Sequence, residues 1–391
     1  MLNMVSIINI LFILNSSSKH AGSNKSFLNI ILNLDKSKFT PIVVIPNNGE
    51  ICNIFDEYGI KYHIISYFQD IYPYREGLIR TLLFPLNILR FRFTNYKAQR
   101  EIESISYKFK IDIIHTNVGT IHFGYRASLK CAIPHIWHLR EYQDLDFNFK
   151  PFPSMSVFKN LLKVNSYNIA ISKDIYNYFE LSSLNSIVIY NGIKNIKERI
   201  FNHYKDNYFL YAGRLEINKG ILDLLEVFKN FKDESNSSIK LFIAGDTKNT
   251  SFKRKLEDFL NKNNLSSSVC FLGMRDDIDK LMQNAKALIV PSRSEGFGRI
   301  TVEALFNGCL VIGYDNAGTS EILRGKNYGF LYKSQLELIQ YLRRFDNDEV
   351  DYVKLINEAH QDVIQYSNEQ YIEKIQNTYI NIIMQKPCKY E

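Results

Sequence analysis

Two stretches of this 391-residue chain hold residue types at spacings that suit an anionic ligand rich in hydroxyls. The first is Ser292-Arg293-Ser294-Glu295-Gly296-Phe297-Gly298-Arg299-Ile300-Thr301-Val302-Glu303-Ala304-Leu305, where two carboxylates stand eight residues apart across a glycine-rich turn. Glycines there let backbone N–H groups approach a ligand with no Cβ in the way. The helix expected after them carries about half a positive charge at its N-terminus, which suits a phosphate or a polar sugar. Glu295 in the loop and Glu303 in the helix supply acceptors for hydroxyls along an extended ligand. Read singly, either glutamate is more readily a helix cap or a solvated side chain than a ligand contact. The second stretch is Tyr211-Ala212-Gly213-Arg214-Leu215-Glu216-Ile217-Asn218-Lys219-Gly220. Arg214 offers a planar fork for phosphate oxygens, and Lys219 a compact charge five positions on.

The elements that must position these residues are short β-branched runs separated by longer helical stretches. Expected strands are Ile7–Leu14, Pro41–Ile45, Tyr62–Ile65, Ile111–His115, His135–Leu139, Asn168–Ile171 and Ile187–Tyr190, then Tyr208–Ala212, Lys240–Ala244, Val269–Leu272, Ala287–Val290 and Leu310–Gly313. Apolar runs of this length, joined by helices, are what parallel sheets buried on both faces require. The reading is α/β, with two Rossmann-like doubly wound domains facing a cleft. The polar stretch Asn191–Asn207 separates them, giving domains over 1–195 and 205–360. A terminal helical segment, 361–391, is expected to cross back onto the first domain. Arg214 and Lys219 then sit at the carboxyl end of a sheet, where such folds bind ligands.

Composition narrows the class. Hydrophobic residues make up 46% and charged residues 23% of the chain, as in an ordinary globular protein. A net charge of +7 suits phosphates or a lipid surface and is too small to indicate nucleic acid. Five cysteines, Cys52, Cys131, Cys270, Cys309 and Cys388, are scattered with no C-x-x-C pair, which points to free thiols in a reducing cytosol. The opening run Met4–Leu14 lacks basic residues ahead of it and reads as a buried first strand, not as a signal peptide. No run reaches the roughly 18 apolar residues of a membrane span.

The segment Tyr74–Lys110 stands apart. It holds eight Lys or Arg against three acids, with Leu, Ile and Phe interleaved through Leu78–Phe93 and Pro85 interrupting them. A pair of solvated amphipathic helices accounts for this pattern; so does docking on an anionic membrane.

Gly213-Arg214-x4-Lys219-Gly220, Phe271-Leu272-Gly273, Val290-Pro291-Ser292, Glu295-x7-Glu303-Ala304 and Gly318-x2-Glu321, in this order, resemble the family 4 glycosyltransferases of the GT-B fold. The first half agrees through Gly22, Asp112-Ile113-Ile114-His115, His138-Leu139-Arg140-Glu141, Ala170-Ile171-Ser172 and Ile189-Tyr190-Asn191-Gly192. The resemblance implies a retaining transferase that takes sugar from a nucleoside-diphosphate-sugar without an obligatory metal. It implies that Arg214 and Lys219 hold the diphosphate, Glu303 the ribose, and Glu295 the donor sugar, with His138 near the reaction centre. Gly22, Gly213, Met274, Gly296, Phe297, Gly298, Arg299 and Ile300 complete the implied donor site. Two departures are visible: Ala21-Gly22 replaces a glycine pair, and His138-Leu139-Arg140 replaces the usual His-Asp.

The acceptor implied is a glycan, lipid-linked, in surface polysaccharide assembly, with the protein cytoplasmic or peripheral on the inner membrane face. An epimerase or phosphorylase of the same architecture, and a silent sugar-nucleotide binding protein, are the rival readings. Asp144-Leu145-Asp146 matches a three-letter metal–nucleotide motif of another transferase fold, a match expected by chance. His135 and His138 straddle a strand end, so a metal site is not expected. No G-x-G-x-x-G or G-x-S-x-G occurs in a supporting context.

Overall fold

The computed structural model describes residues 7–73, 77 and 82–385. Within the segments discussed above, Met4–Ser6, Arg75, Arg80 and Cys388 lie outside the described residues. The chain divides into two compact units, Met1–Tyr190 with Tyr371–Glu391, and Asn191–Gln370.

In the first unit, strands β1 (Ile8–Ile13), β2 (Phe39–Ile45), β3 (Lys61–Ile64), β4 (Ile113–Thr116), β5 (His135–Leu139), β6 (Tyr167–Ala170) and β7 (Ser186–Val188) form one sheet. Their order is β3-β2-β1-β4-β5-β6-β7, so the winding reverses between β1 and β4. Pairing is parallel, Ile8 opposite Phe39 and Ile10 opposite Ile113. Ile10, Leu11, Phe12 and Ile13 are fully buried, which is why β1 reads as an unbroken apolar run instead of alternating. Helix α1 (Gly22–Asn33) follows β1, and α2 (Phe84–Lys108) precedes β4.

The C-terminal helix, Asn368–Met384, spans the division between the units. Its Tyr371, Ile372, Ile375, Tyr379 and Ile382 recur at helical spacing and join Phe12, Phe27 and Phe39 in the core of the first unit. Each such side chain contributes about 1.5–3 kcal/mol when fully buried, so this helix is integral to that core. The division falls after residue 370, ten residues beyond the expected 360, because Val363 and Tyr366 are buried with the second unit. There the Tyr366 ring stands 5.9 Å from that of Phe297.

The second unit holds β8 (Tyr208–Ala212), β9 (Lys240–Ala244), β10 (Val269–Gly273), β11 (Ala287–Val290), β12 (Val311–Tyr314) and β13 (Gly329–Tyr332). Their order, β10-β9-β8-β11-β12-β13, reverses between β8 and β11. His135–Leu139, Tyr208–Ala212, Lys240–Ala244 and Ala287–Val290 fall as expected, and the ends of the other expected strands shift by at most two residues. β13 was not anticipated, since Gly-Phe-Leu-Tyr is too short to stand out from its polar flanks. Helices α3 (Ile221–Asp233), α4 (Arg299–Phe306) and α5 (Ala317–Leu323) follow β8, β11 and β12. Among the described residues, Cys52, Cys131, Cys270 and Cys309 are free thiols, and no helix is long and apolar enough to cross a membrane.

Candidate functional site

In an open parallel sheet, loops on either side of the reversal diverge and leave a crevice at the carboxyl edge. In the second unit those loops follow β8 and β11, and they carry the two stretches singled out by sequence. The structure joins them: Lys219 Nζ lies 2.7 Å from Glu295 Oε1, with both side chains about one-fifth exposed (20% and 21%). Gly220 permits this approach. Its φ is +71°, and a Cβ there would stand 2.4 Å from the Pro291 carbonyl oxygen. Beside it, a Cβ on Gly245 would meet the Gly213 carbonyl oxygen at 1.9 Å, so the loops after β8 and β9 touch backbone to backbone. The Tyr211 hydroxyl donates to the Arg214 carbonyl at 2.9 Å and shapes the turn. The Arg214 side chain reaches outward, 59% exposed, and pairs with Glu216 at 2.9 Å. Exposed Gly213 follows β8, and Met274, 79% exposed, follows β10, with β9 between the two strands.

The turn before α4 is clamped from behind. Gly318 N–H donates to the Glu295 carbonyl at 2.8 Å, and Gly298 caps α4 with φ +82°. Phe297 is buried, while Gly296, Arg299 and Ile300 are half-buried. Arg299 Nε donates to Glu303 Oε1 at 2.8 Å, one helical turn apart. This bond orients the carboxylate and leaves Glu303 Oε2 without a hydrogen-bond partner among the described residues. Arg299 Nη1 is buried with no partner among the described residues, a donor that an acceptor on a bound ligand would satisfy.

In the first unit, Gly22 opens α1 at the β1–β4 reversal, and a Cβ there would meet nothing within 4 Å. Packing within the protein therefore does not demand glycine at this position. His138 is fully buried at the end of β5. Its Nδ1 lies 3.2 Å from Arg140 Nη2 and 3.2 Å from His115 Nε2. A guanidinium only donates, so His138 Nδ1 accepts and its proton sits on Nε2. His115 then donates from Nε2 and accepts the Tyr379 hydroxyl at Nδ1, 2.8 Å away. Arg140 is held in turn by Asn117 and by the Tyr371 hydroxyl at 3.2 Å. His138 Nε2 is buried without a partner among the described residues. Burial, with the Arg140 charge and His115 adding to it, holds the His138 pKa well below the ordinary 6.5. Sequence reading found His138 but not its network, because Tyr371 and Tyr379 lie more than 230 residues away.

Glu141, half-buried beside this network in sequence, is pushed up to about 7 by burial, reinforced by Asp146 and opposed by Arg140. His135 projects to the opposite face from His138, as residues three apart on a strand must. It meets Thr116 Oγ1 at 2.8 Å. Asp144 accepts from the Tyr178 hydroxyl and Asp146 from the Tyr142 backbone, both local structural bonds. Among the described residues no group of three or more His, Cys, Asp or Glu is gathered as a metal site would need.

This tautomer assignment has a direct test. Histidine-selective 15N spectra should show His138 neutral and protonated on Nε2 throughout pH 6–9, and Arg140→Met should remove that preference. A His138 resonance that titrates near 6.5, or carries its proton on Nδ1, contradicts the network. Because the His115, His135 and His138 pKa values are all lowered in the fold, the unfolded chain binds more protons below about pH 6.5. Stability should accordingly fall as the pH drops from there.

Residues 193–366 match the family model of glycosyl transferases group 1. An uncharacterized glycosyltransferase of Methanocaldococcus jannaschii is 31% identical over 278 residues, 68% of this chain and 73% of that one. An alpha-1,4-N-acetyl-D-galactosaminyltransferase of Campylobacter jejuni, named for a GalNAc-containing diphospho-undecaprenol substrate, is 28% identical over 160 residues, 40% of this chain and 43% of its own. The structure of Anabaena HepE in complex with UDP superposes with a TM-score of 0.76 at 19% identity, covering 96% of this chain and 100% of that one. That likeness establishes the shared two-domain GT-B fold. With a relative nearly one-third identical over most of both chains, and the family model matching the unit that holds the Lys219–Glu295 pair, this chain belongs to the group 1 glycosyltransferases.

Proposed function

We propose that the protein transfers a sugar, with retention of configuration and without an obligatory metal, from a nucleoside-diphosphate-sugar to a hydroxyl of a lipid-linked glycan. The observation that carries this reading is the meeting of Lys219 and Glu295 at the β8–β11 reversal, a cation for phosphate beside an acceptor for sugar hydroxyls. Lys219, Arg214 and the N-terminus of α4 stabilise the charge that develops on the departing diphosphate. Glu303, oriented by Arg299, takes the ribose hydroxyls. Glu295 accepts from the donor sugar, and the neutral His138 donates from Nε2 to a sugar oxygen. Neither glutamate is assigned as a covalent nucleophile. UDP in the HepE structure and the undecaprenol-linked substrate in the Campylobacter enzyme's name support donor and acceptor of this kind. Surface polysaccharide assembly at the inner face of the cytoplasmic membrane is the setting such an acceptor implies.

A panel of nucleotide-sugars screened for thermal stabilisation identifies the donor, and turnover with lipid-linked glycans follows. Nucleoside diphosphate should appear at a rate that requires acceptor, with the anomeric configuration of the product matching the donor. Diphosphate release in equal amounts without acceptor, or conversion of the nucleotide-sugar to its epimer, would replace this reading with one of its rivals.

A further inference from the structure

We propose that the outer face of α2 is a docking surface for an anionic lipid bilayer. The inner face of this 25-residue helix is accounted for: Ala98, Ile102 and Ile105 are buried in the core of the first unit. Its outer face is not. Leu82, just before the helix, and Leu86, Leu89, Phe93 and Tyr96 are 71%, 62%, 64%, 61% and 58% exposed. They recur at intervals of four and three residues, so they form one stripe along the helix, about 21 Å long at 1.5 Å per residue. A helix facing water carries polar side chains at such positions, and a contiguous exposed apolar stripe marks an interaction surface.

Charge selects the partner. Arg90 and Lys97 border the stripe on one side and Arg92 on the other, and residues 82–100 contain no Asp or Glu; Arg100, which continues the line, is paired with Glu103 at 2.6 Å. All four cations are exposed. Lys97 Nζ lies 4.5 Å from the Phe93 ring centroid, and the Arg90 guanidinium 5.8 Å from that of Phe68, itself 42% exposed. Long cationic side chains beside an apolar strip lay their stems along it and hold their heads at phosphate level. A second copy of the chain fits badly, because an isologous contact sets Arg90, Arg92 and Lys97 against themselves. A bilayer with anionic headgroups supplies both requirements at once, diffuse negative charge and an apolar layer beneath it.

This surface deepens the acceptor side of the proposed function, yet its test is separate. The full-length protein is sedimented with vesicles of phosphatidylcholine alone or mixed equally with phosphatidylglycerol, at 20 mM and 500 mM salt. It should pellet with the anionic vesicles at low salt and be released as screening increases. Arg90→Glu with Arg92→Glu should weaken partitioning at least about 30-fold. Leu86→Gln with Leu89→Gln should remove the binding that survives salt. All four positions are surface residues, so an unchanged melting temperature and nucleotide-induced thermal shift confirm that the variants fold. Failure to pellet with anionic vesicles, or equal pelleting with neutral ones, overturns the proposal. So does light scattering that shows a dimer dissociated by the Leu86 and Leu89 substitutions without any vesicle binding, or capture by an acidic helical peptide in place of vesicles. Vesicle binding without nucleoside diphosphate binding would instead contradict the transferase reading and leave the surface standing.

Discussion

Lys219→Ala is expected to weaken binding of a bare nucleoside diphosphate by roughly 10- to 150-fold, the loss of one charge-assisted hydrogen bond worth about 1.5–3 kcal/mol. The melting temperature should change little, because the Lys219 side chain is partly exposed and its ammonium pairs with Glu295. The structure adds a second expectation that separates the two glutamates. In the free protein the Lys219 ammonium is already neutralised by Glu295, 2.7 Å away, so a diphosphate must compete with that carboxylate. Glu295→Gln removes the competition, and bare diphosphate should bind as well as before or better. The same variant should bind nucleotide-sugar more weakly, since the acceptor for the sugar hydroxyl has become a poorer one. Glu303→Gln should weaken both ligands, because the ribose is common to them and Arg299 loses its carboxylate partner. Titration calorimetry with the diphosphate and the diphosphate-sugar resolves the pattern. Equal diphosphate affinity in Lys219→Ala and the native protein would remove Lys219 from the phosphate site; equal losses for Glu295→Gln and Glu303→Gln on bare diphosphate would erase the division between them.

How far the sequence carries is clearest at these same residues. The parallel sheets were readable because strands buried on both faces, such as Ile-Asn-Ile-Leu-Phe-Ile, need near-continuous apolar runs. Arg214, Lys219 and Glu295 were readable because each follows such a strand within a glycine-bearing turn, and Glu303 because it stands eight residues beyond Glu295 in the helix that the turn opens. The Lys219–Glu295 pair was not, since contact between residues 76 apart depends on β8 and β11 being neighbours. Strand order does not appear in local pattern. The His138 network was still further from view: its tautomer follows from Arg140, and Arg140 is held by a tyrosine on the C-terminal helix. Those tyrosines look in sequence like ordinary core aromatics. The exposed stripe on α2 had the opposite fate. Its composition was visible, but only burial shows which of its apolar residues face the core and which face out.

Gly318→Ala is expected to disable the donor loop and destabilise the second unit together. Gly318 has no left-handed backbone to protect, so the effect is purely one of space. A Cβ there would lie 2.3 Å from the carbonyl carbon of Phe297, 2.4 Å from its oxygen and 2.7 Å from the Glu295 carbonyl oxygen. These are backbone atoms and cannot rotate away as a side-chain end would. The loop Glu295–Phe297 must therefore retreat from α5, stretching the bond from Gly318 N–H to the Glu295 carbonyl. Overpacking of this kind costs about 1–3 kcal/mol, or a fall of a few degrees in melting temperature for a unit of this size. Displacement of Glu295 and the N-terminus of α4 by an ångström should cost about 100-fold or more in turnover. Gly22→Ala is the informative companion, because its Cβ would meet nothing within 4 Å in the protein. Its melting temperature should match the native value, so any loss of donor affinity in that variant reports a ligand lying against the β1–α1 turn. Gly318→Ala with native stability and native donor affinity would show that α5 does not hold the loop, and that Glu295 is placed by its bond to Lys219 alone.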